Sequence, residues 1–292
     1  TEWLQYLVQM ILSWGDNETI VSISIQIIFD NMCDNEEKKR FLSNQSTFVL
    51  RILCLESKFI DIQLYVSRFV HNVVKETDDV PFLASLLRLL SFYLEDGIYL
   101  SAEDVFPFFT SLSCVITQLK ITSENWIAQP DGKRVVTVLS EKLMLYSTEF
   151  SGKQPFKCID KISECLCNCL SEAPGVVGKR NKQSMQRVAY LGMKNDPLGT
   201  LTNLMVGMLT RSRLGIEGRE KERLSAIQSL CKLFQLFSCL DEQKWVVAMH
   251  QIGEFIEEHF PVKDVQMPNT PSRMFRHVHV GLKNQGNTCY MN

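Results

Sequence analysis

The residues with the clearest chemical potential stand at the end of the 292-residue chain, in Gly281-Leu-Lys-Asn-Gln-Gly-Asn-Thr-Cys-Tyr-Met-Asn292. A cysteine attacks a carbonyl as the thiolate, whereas an ordinary thiol is mostly protonated at neutral pH. A helix N-terminus together with a nearby histidine is the usual way to lower its pKa. The order of residues here reads as a turn followed by a helix start. Gly286 supplies backbone freedom, Asn287 and Thr288 are good N-terminal caps, and Tyr290-Met291-Asn292 can begin the helix. Cys289 would then lie where unpaired N–H groups and the helix dipole favour a negative sulfur.

Such a nucleophile needs a base. The chain holds five histidines, His71, His250, His259, His277 and His279, and all of them precede the cysteine. His277 and His279 alternate with valines in Arg276-His-Val-His-Val280, a short strand-like pattern. A solvated or edge-strand histidine is the ordinary reading of such a stretch; a surrogate base is the alternative.

The dodecapeptide resembles the cysteine box of the ubiquitin-specific proteases, papain-like deubiquitinases in which the cysteine is the nucleophile. The likeness covers only a dozen residues, but it fixes ten positions in Gly-Leu-x-Asn-x-Gly-Asn-Thr-Cys-Tyr-Met-Asn and is therefore specific. It implies that Cys289 attacks the isopeptide carbonyl at the C-terminus of ubiquitin, forming a thioester that water then hydrolyses. It also places Asn284 where the family has the side-chain amide that helps to hold the oxyanion, a contribution worth about 3–4 kcal/mol in other systems. The implied partners are ubiquitin and ubiquitinated proteins, and the implied chemistry uses no cofactor and no metal. In the family the histidine and its orienting Asp or Asn follow far downstream of the cysteine. Neither such segment occurs here, so the resemblance implies a fragment, ending at the box and inert by itself. The absence of an initial methionine fits a piece of a longer polypeptide. A helical-repeat scaffold carrying a degenerate protease domain is the alternative.

The elements that would position this box are helical. From residue 1 to about 260 apolar residues recur at three- and four-residue steps, as in Ile62, Val66, Phe69, Val70 and Val73, and again in Leu224, Ile227, Cys231, Phe234 and Phe237. Ser101-Ala-Glu-Asp104 resembles a capping box, with Pro107 near enough to the start to be tolerated. Breaks fall near Gly15-Asp16-Asn17, Asp34-Asn35, Ser57-Lys58, Thr77-Asp78-Asp79, Asp96-Gly97, Ser123, Gly152, Pro174-Gly175, Asn195-Asp196-Pro197 and Gly215. Helix pairs should then repeat at roughly 40–47 residues, the period of armadillo and HEAT arrays. The expected fold class is all-α, an armadillo/HEAT-like α-solenoid over 1–260 with an irregular helical bundle as competitor. The resemblance agrees, because the large fat-facets-like members carry helical-repeat regions before their catalytic domains. Residues 261–276 form a linker, since Pro261, Pro268 and Pro271 rule out a continuous helix. Thr270-Pro271 with the basic residues after it could be a regulated site, and a solvated tether is the plainer reading. Residues 277–292 are then the truncated start of the catalytic domain.

Composition sets further bounds. A net charge of −2 gives no overall footprint for nucleic acid or an anionic membrane, and no apolar run reaches the length needed to span a bilayer. Ten cysteines spread along helical patterns without a signal peptide read as reduced thiols of a cytosolic or nuclear protein. Cys158, Cys165, Cys167 and Cys169 invite a metal hypothesis, yet their spacing keeps helical periodicity. Three of them share a face, and burial as small apolar groups is the simpler reading. Val176–Lys194 holds Lys179, Arg180, Lys182, Arg187 and Lys194 without an acid, which suits a solvated loop or, alternatively, an import segment or basic patch. Trp3, Trp14, Trp126 and Trp245 are scattered and need only be core or groove anchors. The curved face of a helical array would offer a surface for protein partners.

Overall fold

A computed structural model of the chain describes residues 6, 17–32, 34–54, 60–101, 104–123, 126–148, 155–171, 196–211, 219–238 and 241–259. Two compact units divide it, Thr1–Met249 and His250–Asn292. In the second unit the described residues are the last turns of a helix that ends at His259. The cysteine box, the linker 261–276 and the basic stretch 176–194 all lie outside the described residues.

The described residues form eleven α-helices and no strand. In chain order these are α1 (Glu18–Asp30), α2 (Asn35–Asn44), α3 (Ser46–Leu53), α4 (Ile60–Lys75), α5 (Val80–Asp96), α6 (Phe106–Thr122), α7 (Pro130–Thr148), α8 (Pro155–Leu170), α9 (Pro197–Arg211), α10 (Glu220–Ser238) and α11 (Glu242–His259). Short 3-10 turns at Ile98–Ser101 and Trp126–Ala128 lead into α6 and α7. Local chemistry explains many of the boundaries. Asn17, Asp34 and Asp79 each accept a hydrogen bond from a backbone N–H of the following first turn, at 3.2, 3.3 and 3.0 Å. Pro81, Pro107, Pro130, Pro155 and Pro197 all stand in first turns, where a missing N–H costs nothing. Gly97 closes α5 with φ +72°, a left-handed conformation that a side chain would strain.

Packing within Thr1–Met249 follows a simple rule. Consecutive helices associate as the pairs α3/α4, α5/α6, α7/α8 and α9/α10. Each helix also packs on the one two places along: α3 on α5, α5 on α7 and α7 on α9, and likewise α4 on α6, α6 on α8 and α8 on α10. Two rows of helices result. The core lies between the rows, where α6 buries Phe108, Phe109, Leu112, Val115, Ile116 and Leu119. Complete burial of a side chain of this size contributes about 1.5–3 kcal/mol. At the other end of the array Phe29 of α1 stacks on Phe69 of α4 with ring centroids 3.9 Å apart.

Polar links tie each row together, and their sequence offset grows along the array. Between α4 and α6, Ser67 Oγ donates to the Pro107 carbonyl (3.1 Å, offset 40) and Gln118 Nε2 to the Thr77 carbonyl (2.9 Å, offset 41). Between α5 and α7, Arg88 grips Asp131 through two bonds of 2.9 and 2.8 Å at offset 43. Lys142 Nζ reaches the Glu95 carbonyl at offset 47. The offset then stretches, to 48 for Lys120 and Asn168 between α6 and α8, and to 69 for Ser229 and Asp160 between α8 and α10. The helix starts lie 34 residues apart from α3 (Ser46) to α5 (Val80), 46 from α4 (Ile60) to α6 (Phe106) and 50 from α5 (Val80) to α7 (Pro130), so the expected period of roughly 40–47 is met only loosely, and it lengthens to 67 from α7 (Pro130) to α9 (Pro197).

Three sequence expectations need correction. Ser101 ends a 3-10 turn rather than capping α6, and Asp104 Oδ1 accepts the Phe106 N–H instead (3.0 Å). A break at Gln45 separates α2 from α3 with neither glycine nor proline to announce it, through a φ of −117° and ψ of 22°. On α10 the inward face is Ala226, Ser229, Leu230, Leu233, Phe234 and Phe237, so Phe234 and Phe237 are buried as expected while Leu224 and Cys231 face outward. The hydrogen bonds from Ser225 and Ser229 to Asp160 set that rotation. By contrast, Ile62, Val66, Phe69, Val70 and Val73 are all buried as expected.

Two glycines should respond to alanine with opposite signs. A methyl on Gly132 would run into the Trp126 carbonyl and lie 2.7 Å from Ile127 Cα, backbone that cannot turn aside. Gly132→Ala should lose about 2–3 kcal/mol in urea denaturation followed by circular dichroism. Gly253, with nothing within 4 Å of the same methyl, should gain up to about 1 kcal/mol. A second expectation concerns acid. The Arg88 guanidinium holds the Asp131 carboxyl below the usual carboxylate range. A lowered folded-state pKa means stability that is present above the unfolded value, about 3.9, and lost as pH falls through the folded one. Asp131→Asn should therefore lower the urea midpoint at pH 7, and the difference from the unaltered protein should shrink as pH falls below about 3.9.

Candidate functional site

The chemistry legible in the sequence and the geometry visible in the fold fall in different parts of the chain. Cys289, Asn284, His277 and His279 lie outside the described residues. His250 and His259 are on α11, where His259 stacks on Phe255 with centroids 4.3 Å apart, and His71 stands exposed on α4.

The cysteine cluster on α8 resolves into packing. Cys158, Cys165 and Cys169 point into the core, and Cys167 is half-buried with its thiol directed at the Ser229 carbonyl of α10. Among the described residues no group of three or more histidine, cysteine or acidic side chains could hold a metal ion. Burial pushes the Cys158 thiol up to about 11, Cys167 and Cys169 to about 12, and Cys165 well above the ordinary value. Desolvation penalises the thiolate, so these sulfurs are poor nucleophiles and poor ligands. The described cysteines are all free of disulfides.

A cavity does form on the outward side of the row α4–α6–α8. One face of α6 supplies its floor through Phe106, Thr110, Ser113, Cys114, Thr117 and Ile121, residues three and four apart and thus in one stripe. The four central side chains are small, and the bulky ends are exposed, Phe106 at 44% and Ile121 at 55%. His71 and Lys75 of α4 form one wall, and Lys161 and Glu164 of α8 form the other. The trough encloses about 510 Å³. A smaller hollow of about 290 Å³ adjoins it beyond Phe106 and Lys161, between α8 and the start of α10. The sequence offered one cue to the trough, an uncharged small-residue stripe within an otherwise apolar helix.

Beneath the floor runs a polar network that fixes the far wall. Asn168 Nδ2 donates to Thr117 Oγ1 (2.9 Å) and Ser113 Oγ (3.0 Å). The buried Lys120 ammonium donates to the Asn168 carbonyl (2.6 Å) and to Ser171 Oγ (3.0 Å), at the C-terminal end of α8 where the helix dipole favours a cation. Burial holds Lys120 below the ordinary lysine value, with the neighbouring Cys169 acting in the opposite direction. On the wall itself Lys161 is neutralised by Glu164 at 2.7 Å and lies 5.3 Å from the centroid of Phe106.

No family model, no curated protein and no solved structure matches this chain. Among the described residues no helix is long and apolar enough to cross a membrane.

Buried thiols with raised pKa should resist alkylation. Iodoacetamide at pH 8, read by peptide mass spectrometry, should leave Cys158, Cys165 and Cys169 unmodified in the native protein and modify all three in guanidinium. Excess zinc should leave the denaturation midpoint unchanged; a rise would mean that the cluster binds metal.

Proposed function

We propose that the chain is part of a ubiquitin-specific cysteine protease, in which an armadillo/HEAT-like helical arm precedes the catalytic cysteine, Cys289. The observation that carries the reading is the dodecapeptide Gly281–Asn292, with the nucleophile, the oxyanion amide of Asn284 and the turn glycine Gly286 all present at their proper spacing. In the proposed reaction the Cys289 thiolate adds to the carbonyl carbon at the C-terminus of ubiquitin. The resulting oxyanion is held in part by the Asn284 amide, the substrate amine leaves with a proton, and water hydrolyses the thioester. The base that takes the thiol proton and returns it to the leaving amine must be a histidine presented to Cys289, and no histidine follows Cys289 in these 292 residues.

The solenoid reading of the arm is supported by the stacking of four helix pairs in two rows and by polar links at offsets of 40–47 in the earlier pairs. The free thiols suit a reducing cytosolic or nuclear setting. A scaffold with a degenerate protease domain is the second reading, and the trough over α6 is the feature that favours it. Retention of Cys289, Asn284 and Gly286 together favours the active enzyme.

A ubiquitin probe ending in propargylamide tests the choice. In the protein that supplies the histidine and its orienting partner, the probe should form a vinyl thioether at Cys289, and Cys289→Ser should abolish the adduct. Asn284→Ala should lower turnover of a ubiquitin–coumarin amide by about 100- to 1,000-fold. No adduct in that protein with Cys289 intact would exclude the enzyme. Residues 1–292 alone should give none, and labelling there would show that the base lies within them.

A further inference from the structure

We propose that the trough over α6 is a docking site for an acidic peptide segment that carries apolar anchors. The inference rests on reading the helical arm as a binding surface and is independent of any chemistry at Cys289.

Three observations fix the occupant. The first is shape. Phe106 and Ile121 are fifteen positions apart on one helix, so the floor between them is about 22 Å long at the helical rise, room for six or seven extended residues. The small side chains of Thr110, Ser113, Cys114 and Thr117 keep the middle of the floor low, while the exposed rings and methyls of Phe106 and Ile121 offer apolar seats at either end.

The second is charge. Helix α6 contains no acidic residue, and its lone cation, Lys120, is buried and turned to the end of α8. The α4 wall is lined by His71 and Lys75, and exposed Arg68 stands outside the lining, two turns before Lys75 on the same helix. No ion pair among the described residues engages Arg68 or Lys75, whereas on the opposite wall Glu164 already answers Lys161. The uncompensated charge of the trough is thus positive and concentrated on the α4 side. A segment with carboxylates facing α4 and apolar side chains facing α6 complements both, and a basic segment would meet like charge.

The third is rigidity. Asn168 holds Ser113 and Thr117, and the Cys114 thiol is directed at the His71 carbonyl (3.9 Å), so floor and walls are tied to one another before anything binds. A preformed trough spends little of its binding energy on ordering itself.

The test uses residues 1–292 and a fluorescein-labelled dodecapeptide of alternating leucine and glutamate, read by fluorescence anisotropy, with the leucine–lysine peptide as control. The Leu-Glu peptide should bind saturably and more weakly at high salt. The Arg68→Glu/Lys75→Glu variant and, separately, Ile121→Glu should each weaken it by at least about tenfold, a loss of about 1.4 kcal/mol. All three positions are exposed, and unchanged circular dichroism will show that the variants fold. Absence of binding, equal affinity for the Leu-Lys peptide, or unchanged affinity in the charge-reversed variant would overturn the proposal. So would self-association of the chain that Ile121→Glu abolishes, since the trough would then be a contact between copies. Cys289→Ser should leave peptide affinity intact, so failure of the protease reading and failure of this one are separately visible.

Discussion

Phe108, Phe109, Leu112, Val115, Ile116 and Leu119 leave the inner side of α6 almost no contact with water, and that burial is complete only when α3, α4, α5 and α8 are all in place around it. An amphipathic helix in isolation is marginal, and its stability comes from the neighbours that cover its apolar face. Here the covering is reciprocal, because α6 in turn supplies acceptors and donors that its neighbours need. The Pro107 carbonyl receives Ser67 from α4, Gln118 reaches back to the end of α4, and Lys120 reaches forward to the end of α8. The hydrophobic term decides that these helices associate, and the polar links decide their register. A neutral hydrogen bond of this kind contributes only about 0.5–1.5 kcal/mol net, but leaving one partner buried and unpaired costs more, so a slipped register is penalised at several places together.

Much of the helical architecture could be read from the residues, for reasons that are local. Asn17, Asp34, Asp79 and Gly97 mark helix ends because a short polar side chain or a left-handed backbone is a physical requirement at those positions. The face of α4 was legible because both α4 itself and its neighbours obey a simple apolar stripe. The face of α10 was legible only in part: Phe234 and Phe237 are buried as expected, whereas half-buried Ser225 and buried Ser229 bond Asp160 and Leu224 and Cys231 lie outside. The break at Gln45 escaped as well. Nothing in Asn44-Gln-Ser46 demands a turn, and the break comes from the packing of α3 against α4, α5 and α6. Of the site, the proposed cysteine box rests on a likeness at ten positions of sequence alone, and those residues lie outside the described ones. The trough was nearly invisible, as its floor and two walls belong to helices more than thirty residues apart in sequence.

The contrast between Cys289 and the other cysteines follows the same logic. A thiol becomes a nucleophile through the groups arranged around it, and that role is proposed only for Cys289, whose sequence neighbours Asn287 and Thr288 are residue types that cap helices well. The thiols of α8 are surrounded by core, which raises their pKa and removes them from polar chemistry. One element can therefore hold four cysteines within twelve residues and still present no reactive centre.

The alternation of helices between two rows has a consequence for how such a chain can change length. Even-numbered helices from α4 to α10 occupy one row and odd-numbered helices from α3 to α9 the other, so row membership is a matter of parity. Removing or adding a single helix would transfer every later helix to the opposite row, presenting its apolar stripe to the wrong neighbours. Removing or adding a pair would leave parity intact and disturb only one junction. Loop insertions carry no such penalty, as the stretch from offset 40 to offset 69 along the array illustrates. Alterations that preserve the fold, whether by recombination or by splicing, are thus restricted to even numbers of helices, while the connections between them are free to vary.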